Sequence, residues 1–211
     1  MSRKIFIVGL PRTGTTSICI ACLELGYKTA HTAYTRQTFE NAQVLADTPI
    51  FNDYQRLSEV YPNSRFIYLE RDLPLWLPSI SQLLTRMTTN LLTAEGGFNE
   101  TIKRCYLNTF KGLTPELTTN YDYLKNCYEL HKQQAKSFFN DNDLEHIDLN
   151  IAHAHALDKL TDFLGVTTHK LKLMPFTNIG GKVTAWNNIR HPLKVESTRN
   201  GKVDKDSLLI T

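Results

Sequence analysis

The sequence predicts an α/β fold: one domain over residues 1–211, a central parallel sheet flanked by helices, and a helical and loop cap over about 86–140. Three observations carry this. Short runs that are apolar at nearly every position, Ile5–Val8 and Phe66–Leu69 above all, read as strands buried on both faces, as in a parallel sheet. Segments of helical spacing alternate with them. The first strand runs through a glycine turn directly into a helix, the opening of a βαβ unit.

Taken in order, Ile5 to Val8 is the first strand and Gly9 to Thr16 the turn. Ile18, Cys19, Cys22, Leu23 and Leu25 mark a helix that Gly26 ends. Residues 36–46 read as helical, Pro49 to Phe51 as extended, and Tyr54 to Tyr61 as a helix closed by Pro62-Asn63. Arg65 to Glu70 is the second core strand, placed beside the first near the middle of the sheet. Helical sequence follows from about Leu75 to Leu92. Residues 95–121 are rich in Gly, Thr and Asn with only local helix signals, and read as a mobile cap. Tyr123 to Phe139 is a long amphipathic helix, Leu144 to Leu149 a third strand, and Ala154 to Leu164 a helix that Gly165 stops. Residues 166–211 show little periodicity and read as surface loops.

With 41% hydrophobic residues, 21% charged and a net charge of +3, the composition is that of an ordinary globular protein. A bulk nucleic-acid binder is expected to be more basic, so no nucleic-acid partner is predicted. The charge is uneven. Residues 1–164 hold sixteen basic and eighteen acidic side chains, and residues 165–211 hold eight and three. No apolar run approaches the ~18 residues of a membrane span. The basic start Ser2-Arg3-Lys4 leads only to Ile5–Leu10 before Pro11-Arg12 interrupts it, shorter than a secretory core of ~7–15 residues. The expectation is a cytoplasmic protein. The four cysteines, Cys19, Cys22, Cys105 and Cys127, form no spaced framework, and Cys19 and Cys22 fall inside a helical pattern as small buried residues.

Chemistry concentrates in Gly9-Leu10-Pro11-Arg12-Thr13-Gly14-Thr15-Thr16. Backbone N–H groups of such a turn, at the positive end of a helix dipole, form an anion cradle. The spacing is that of the phosphate loop G-x-x-x-x-G-K-[ST], with Thr15 where the lysine belongs and Arg12 as the loop's cation. A tight turn without a ligand is the plain alternative. A nucleotide kinase or triphosphatase, with Asp72 or Asp148 beside the metal, is a second, and the missing lysine counts against it. A nucleotide-binding protein without turnover is a third.

Pro11-Arg12-Thr13-Gly14-Thr15-Thr16-Ser17 resembles the phosphosulfate-binding loop P-K-x-G-T-T of sulfotransferases that use 3′-phosphoadenylyl sulfate. About sixty residues on, Phe66-Ile67-Tyr68-Leu69-Glu70-Arg71-Asp72, with Ser79 in the following segment, is similar to the family's second motif. Leu160 to Val166 is similar to a structural K-L-x-x-F-L-G-V segment. Ala46-Asp47-Thr48-Pro49 through Tyr61-Pro62 resembles a bacterial branch of short sulfotransferases with a phosphate-loop domain. The resemblance implies that Arg12 contacts the transferring sulfuryl group and that Thr13, Gly14, Thr15 and Thr16 hold the 5′-phosphate. Arg71 and Ser79 would then bind the 3′-phosphate. Arg199, Gly201 and Lys202 in the basic tail resemble a late R-K-G loop over the same phosphate, or are simply a solvated surface. Arg12 replaces the commoner lysine; arginine stabilises charge but is a poor proton donor.

The resemblance implies sulfuryl transfer, without a metal, to a hydroxyl or amine of a small acceptor: an alcohol, phenol, amine or sugar. An attacking hydroxyl must shed a proton, so a base is expected near it. Sulfotransferases draw this base from segments after the first helix, which singles out His31 and Asp47. His31 is the expected base because histidine titrates near neutrality; Asp47 is its alternative or partner. Asn178-Ile179-Gly180-Gly181-Lys182 could form another anion nest. His153 and His155 point to different sides of a helix, and His169 and His191 are isolated, so no metal site is expected.

Overall fold

The computed structural model describes residues 3–177 and 186–196. Five strands, β1 (Ile5–Val8), β2 (Thr29–Ala30), β3 (Val44–Ala46), β4 (Arg65–Glu70) and β5 (His146–Asn150), form one parallel sheet in the order β2-β3-β1-β4-β5. The helices are α1 (Thr15–Glu24), α2 (Arg36–Asn41), α3 (Ile50–Val60), α4 (Leu73–Leu92), α5 (Glu100–Thr109), α6 (Tyr121–Asp141) and α7 (Ala156–Leu164). The α/β class with a central parallel sheet is as the sequence predicts, and β1 lies beside β4 with Ile5 opposite Arg65 and Val8 opposite Tyr68.

Side chains alternate along these strands, which explains why both faces read as apolar. Ile5 and Ile7 of β1, with Ile67 and Leu69 of β4, face a cluster built from α1 and α7. Phe6 and Val8, with Phe66 and Tyr68, face a second cluster with α3 and α6. A third cluster joins Leu10 and Phe51 to Trp76, Ile80 and Leu84 of α4, and to residues of α5 and α6. Each such large apolar side chain removed from water contributes roughly 1.5–3 kcal/mol.

Several local expectations are corrected. Residues 36–46 are not one helix. Thr35 caps α2 by accepting the Thr38 N–H at 3.0 Å, and the chain then extends as β3, paired Ile5 to Val44 and Ile7 to Ala46 with β1. Pro49 does not extend the chain; it stands at the N-terminus of α3, where its missing N–H costs nothing. The stretch 95–121 is packed, with Cys105, Phe110 and Thr118 buried, around α5 and a 3₁₀ turn at Glu116–Thr119. Among the described part of 166–211, Met174 and Trp186 are buried, and Val195 donates to the Thr29 carbonyl at 2.9 Å beside β2. Helix α7 starts at Ala156 rather than Ala154. No helix among the described residues is long and apolar enough to cross a membrane.

In this strand order the chain leaves β1 to one side for β2 and β3, then crosses to β4 on the other. Ligands of open α/β sheets bind outside the carboxyl ends of the strands at such a reversal. The turn after β1 and Arg71 after β4 both lie there.

Candidate active site

A cavity of about 450 Å³ opens at the carboxyl ends of the strands, and the turn between β1 and α1 lines it from Pro11 to Ser17. Glycine is required at both ends of this turn. A Cβ on Gly9 would lie 2.6 Å from Leu69 Cβ and 2.8 Å from its carbonyl oxygen. Gly14 has φ of +107°, and a Cβ there would meet Ile151 Cδ1 at 2.4 Å. The first bond of α1 runs from Ile18 N–H to Gly14 O at 3.1 Å, so the amides of Thr15, Thr16 and Ser17 precede the helical ladder. They have no acceptor within the helix and stand at the positive end of its dipole, which makes an anion cradle. The Thr13 hydroxyl is turned inward, donating to Leu10 O at 2.7 Å.

Arg12 itself lies in the left-handed region at φ 73°. Its Nε donates to Ser79 Oγ at 2.8 Å, while its terminal nitrogens make no hydrogen bond among the described residues. Arg71, at the end of β4, donates through Nη1 to the Arg12 carbonyl at 2.7 Å and lies 3.5 Å from Ser79 Oγ. The two guanidinium groups therefore converge on one hydroxyl of α4. Both are half-buried. Burial lowers the Arg12 pKa and the nearby Arg71 charge adds to it; Arg71 is lowered mainly by burial too. Two cations crowded together out of water constitute a site that favours an anion. Trp76 Nε1 holds the preceding Pro11 carbonyl at 2.9 Å, and Arg71 N–H is held by the Tyr128 hydroxyl at 3.0 Å, so both arms of the cluster are braced by the helical layer.

His31 and Asp47 meet at the threonines of α1. His31 Nε2 lies 3.1 Å from the hydroxyls of Thr15 and Thr16 and 3.6 Å from Asp47 Oδ2. Thr15 donates to Asp47 Oδ2 at 3.1 Å, and Asp47 Oδ1 accepts the Thr48 N–H at 2.8 Å. Asp47 thus does not cap α3 with its side chain. Burial lowers the His31 pKa, with Asp47 pulling the other way, so the ring is neutral near pH 7. The Trp186 ring stacks on it, centroids 5.6 Å apart.

The structure brings Arg12, Gly14, Thr15, Thr16, His31, Asp47 and Arg71 to one cavity, with Ser79 bonded to it through Arg12. Arg199, Gly201 and Lys202, and the 178–182 nest, lie outside the described residues. Sequence reasoning missed Tyr106, Asn150 and Trp186, which also line the cavity. The i, i+4 spacing of Ile102, Tyr106 and Phe110 marks the buried face of a helix but not its approach to the cavity. Asn150 donates to Asp72 Oδ1 at 3.0 Å, and Asp148 is paired with Lys136 at 2.5 Å away from the cavity. His155 pairs only with Asp158 on the surface, and no group of ligating side chains arranged for a metal occurs among the described residues. Cys19 and Cys22 are buried in α1, and burial pushes the Cys22 thiol up to about 12.

No curated protein matches the chain. A family model described as sulfotransferase domain matches residues 4–37 and 32–182, a span that takes in the anion cradle, the Arg12–Ser79–Arg71 cluster and the His31–Asp47 pair. The match covers most of the chain, including an anion cradle in which Thr15 stands at the phosphate-loop lysine position and Arg12 is the cation: the chain belongs to the sulfotransferase family.

Proposed function

We propose that the chain transfers a sulfuryl group from 3′-phosphoadenylyl sulfate to a hydroxyl or amine of a small acceptor in the cytoplasm. The observation that carries the reading is that the amides at the start of α1 and the cations Arg12 and Arg71 line one cavity. A nucleotide with a 5′-phosphosulfate and a 3′-phosphate needs anion sites for both ends. The donor set fits it: amides and hydroxyls at Thr15 and Thr16 suit the 5′-phosphate, and Arg71 with Ser79 suits the 3′-phosphate. The cytoplasmic setting is supported by the unpaired thiols.

When bound, the nucleotide supplies an activated sulfuryl group. Arg12, whose terminal nitrogens make no hydrogen bond among the described residues, stabilises the charge that develops on the sulfuryl and bridging oxygens. His31 takes the acceptor's proton at Nε2, and burial keeps it neutral and ready to do so. Asp47 Oδ2, 3.6 Å away, stabilises the resulting imidazolium or serves as the base in its place. A triphosphatase reading has less support, because Asp72 is bonded to Asn150 and Asp148 to Lys136. A screen of alcohols, phenols, amines and sugars with sulfur-labelled nucleotide tests the proposal. Label appearing in an acceptor supports it, and nucleotide bound without transfer to any of them favours a non-catalytic role.

A further inference from the structure

Tyr106 stands on α5 at the wall of the cavity, in a stretch of sequence that carries none of the phosphate-binding motifs. It is 5% exposed. Phe51 meets its ring edge-on at 5.6 Å, and Phe110 stacks on it at 6.2 Å. Helix α5 is in turn pinned to α3, because Arg104 grips Asp53 with two bonds of 2.6 and 2.7 Å. The ring is therefore held in one place.

A phenol this deeply set ordinarily has a hydrogen-bond partner. Tyr68 bonds His131 and Tyr128 bonds the Arg71 main chain. The Tyr106 hydroxyl makes no hydrogen bond among the described residues, yet it is not sealed from solvent, so its open side is the cavity. The terminal nitrogens of Arg12, which lines the same cavity, are likewise without a hydrogen bond among the described residues. We infer that the Tyr106 hydroxyl donates to an oxygen of the transferring sulfuryl group, completing with Arg12 an anion hole beyond the α1 amides. The inference rests on the reading that this cavity takes 3′-phosphoadenylyl sulfate.

The chemistry of the group agrees. Burial raises the Tyr106 pKa well above its ordinary value, with Asp47 adding to the effect and Arg12 opposing it, so the hydroxyl keeps its proton and offers it to an anion. On that reading the amides of Thr15, Thr16 and Ser17 meet the phosphate end, which leaves the sulfuryl oxygens to side-chain donors that line the cavity. Arg12 and Tyr106 are donors of that kind, and each is close enough to influence the other's ionisation.

The test is calorimetric titration of the full chain and of Tyr106→Phe with 3′-phosphoadenylyl sulfate and with adenosine 3′,5′-bisphosphate, which lacks the sulfuryl group. Phenylalanine keeps the ring packing, and an unchanged thermal midpoint verifies the fold. The expected result is affinity for the phosphosulfate about tenfold weaker, the worth of one hydrogen bond to a charged group, with affinity for the bisphosphate unchanged. If the natural chain binds the bisphosphate and the substitution affects both nucleotides alike, or neither, the tyrosine assignment is overturned and the nucleotide reading stands. If the natural chain binds neither nucleotide, both fall together.

Discussion

The guanidinium of Arg71 donates to the main-chain oxygen of Arg12 at 2.7 Å, so the end of β4 holds the turn after β1 in place. One side chain thereby serves two purposes: it fixes the left-handed backbone at Arg12 and presents a cation beside Ser79. Arg71→Ala is expected to weaken adenosine 3′,5′-bisphosphate by about 10- to 100-fold, as loss of a charged hydrogen-bond donor does. Adenosine 5′-phosphosulfate, without a 3′-phosphate, should lose much less. Ser79→Ala leaves the Arg71–Arg12 bond intact and should reproduce the direction more weakly. Equal losses for both ligands in a binding titration would show that Arg71 acts through the turn alone.

His31→Ala should cut turnover by ~10²-fold or more with nucleotide affinity nearly unchanged, since general-base catalysis contributes ~10²–10⁴. The pH profile follows from the sign of the shift. Burial lowers the His31 pKa, so the neutral base persists below pH 6.5, and turnover should hold through that point and fall only in more acid solution. If the alanine variant keeps full activity while Asp47→Asn loses it, the proton goes to the carboxylate.

Arg104→Ala should destabilise the fold by up to about 3 kcal/mol, because Asp53, with its side chain 4% exposed, loses its cation and keeps only the Asn52 amide at 2.6 Å. Replacing both partners by leucine removes the uncompensated charge and should recover most of the loss. Chemical unfolding measures both. A single substitution costing under about 0.5 kcal/mol would place this pair among the weak surface bridges.

His131 is buried under β4, with Nε2 bonding the Phe51 carbonyl at 2.7 Å and Nδ1 facing the Tyr68 hydroxyl at 3.1 Å. Burial lowers its pKa to about 4. The unfolded chain therefore binds the proton first, and stability, complete above pH 6.5, should decline as pH falls from about 6.5 toward 4. The loss is on the order of 3 kcal/mol. Thermal midpoints measured from pH 7 to pH 4 for the natural chain and His131→Gln check this; the variant's decline should be the shallower.

Much of this was legible in the sequence for physical reasons. β1 and the inner residues Phe66–Leu69 of β4 are buried on both faces of the sheet's middle, and so had to be apolar at every position. Gly9, Gly14 and Arg12 were legible because a backbone that cradles an anion tolerates few residues. β2 and β3, at two and three residues, are too short for any period to register, and β3 follows α2 closely enough to read as its continuation. Pro49 is ambiguous in sequence, because the same ring suits an extended chain and a helix start. Tyr106 and Trp186 reach the cavity by tertiary packing of α5 and the 186–188 turn, and no local motif encodes that approach.

The central claim, that the cavity takes an adenosine nucleotide bearing both a 5′ and a 3′ anionic group, is tested most directly by calorimetric titration with adenosine 3′,5′-bisphosphate beside ATP and magnesium. On the proposed reading both phosphates of the bisphosphate would meet donors in this cavity, whereas the phosphate-loop lysine of triphosphatases is replaced by Thr15. The bisphosphate should bind at least ~10-fold more tightly, the difference one charged hydrogen-bond contact supplies. Tighter binding of ATP with magnesium, or no binding of the bisphosphate, would contradict the account.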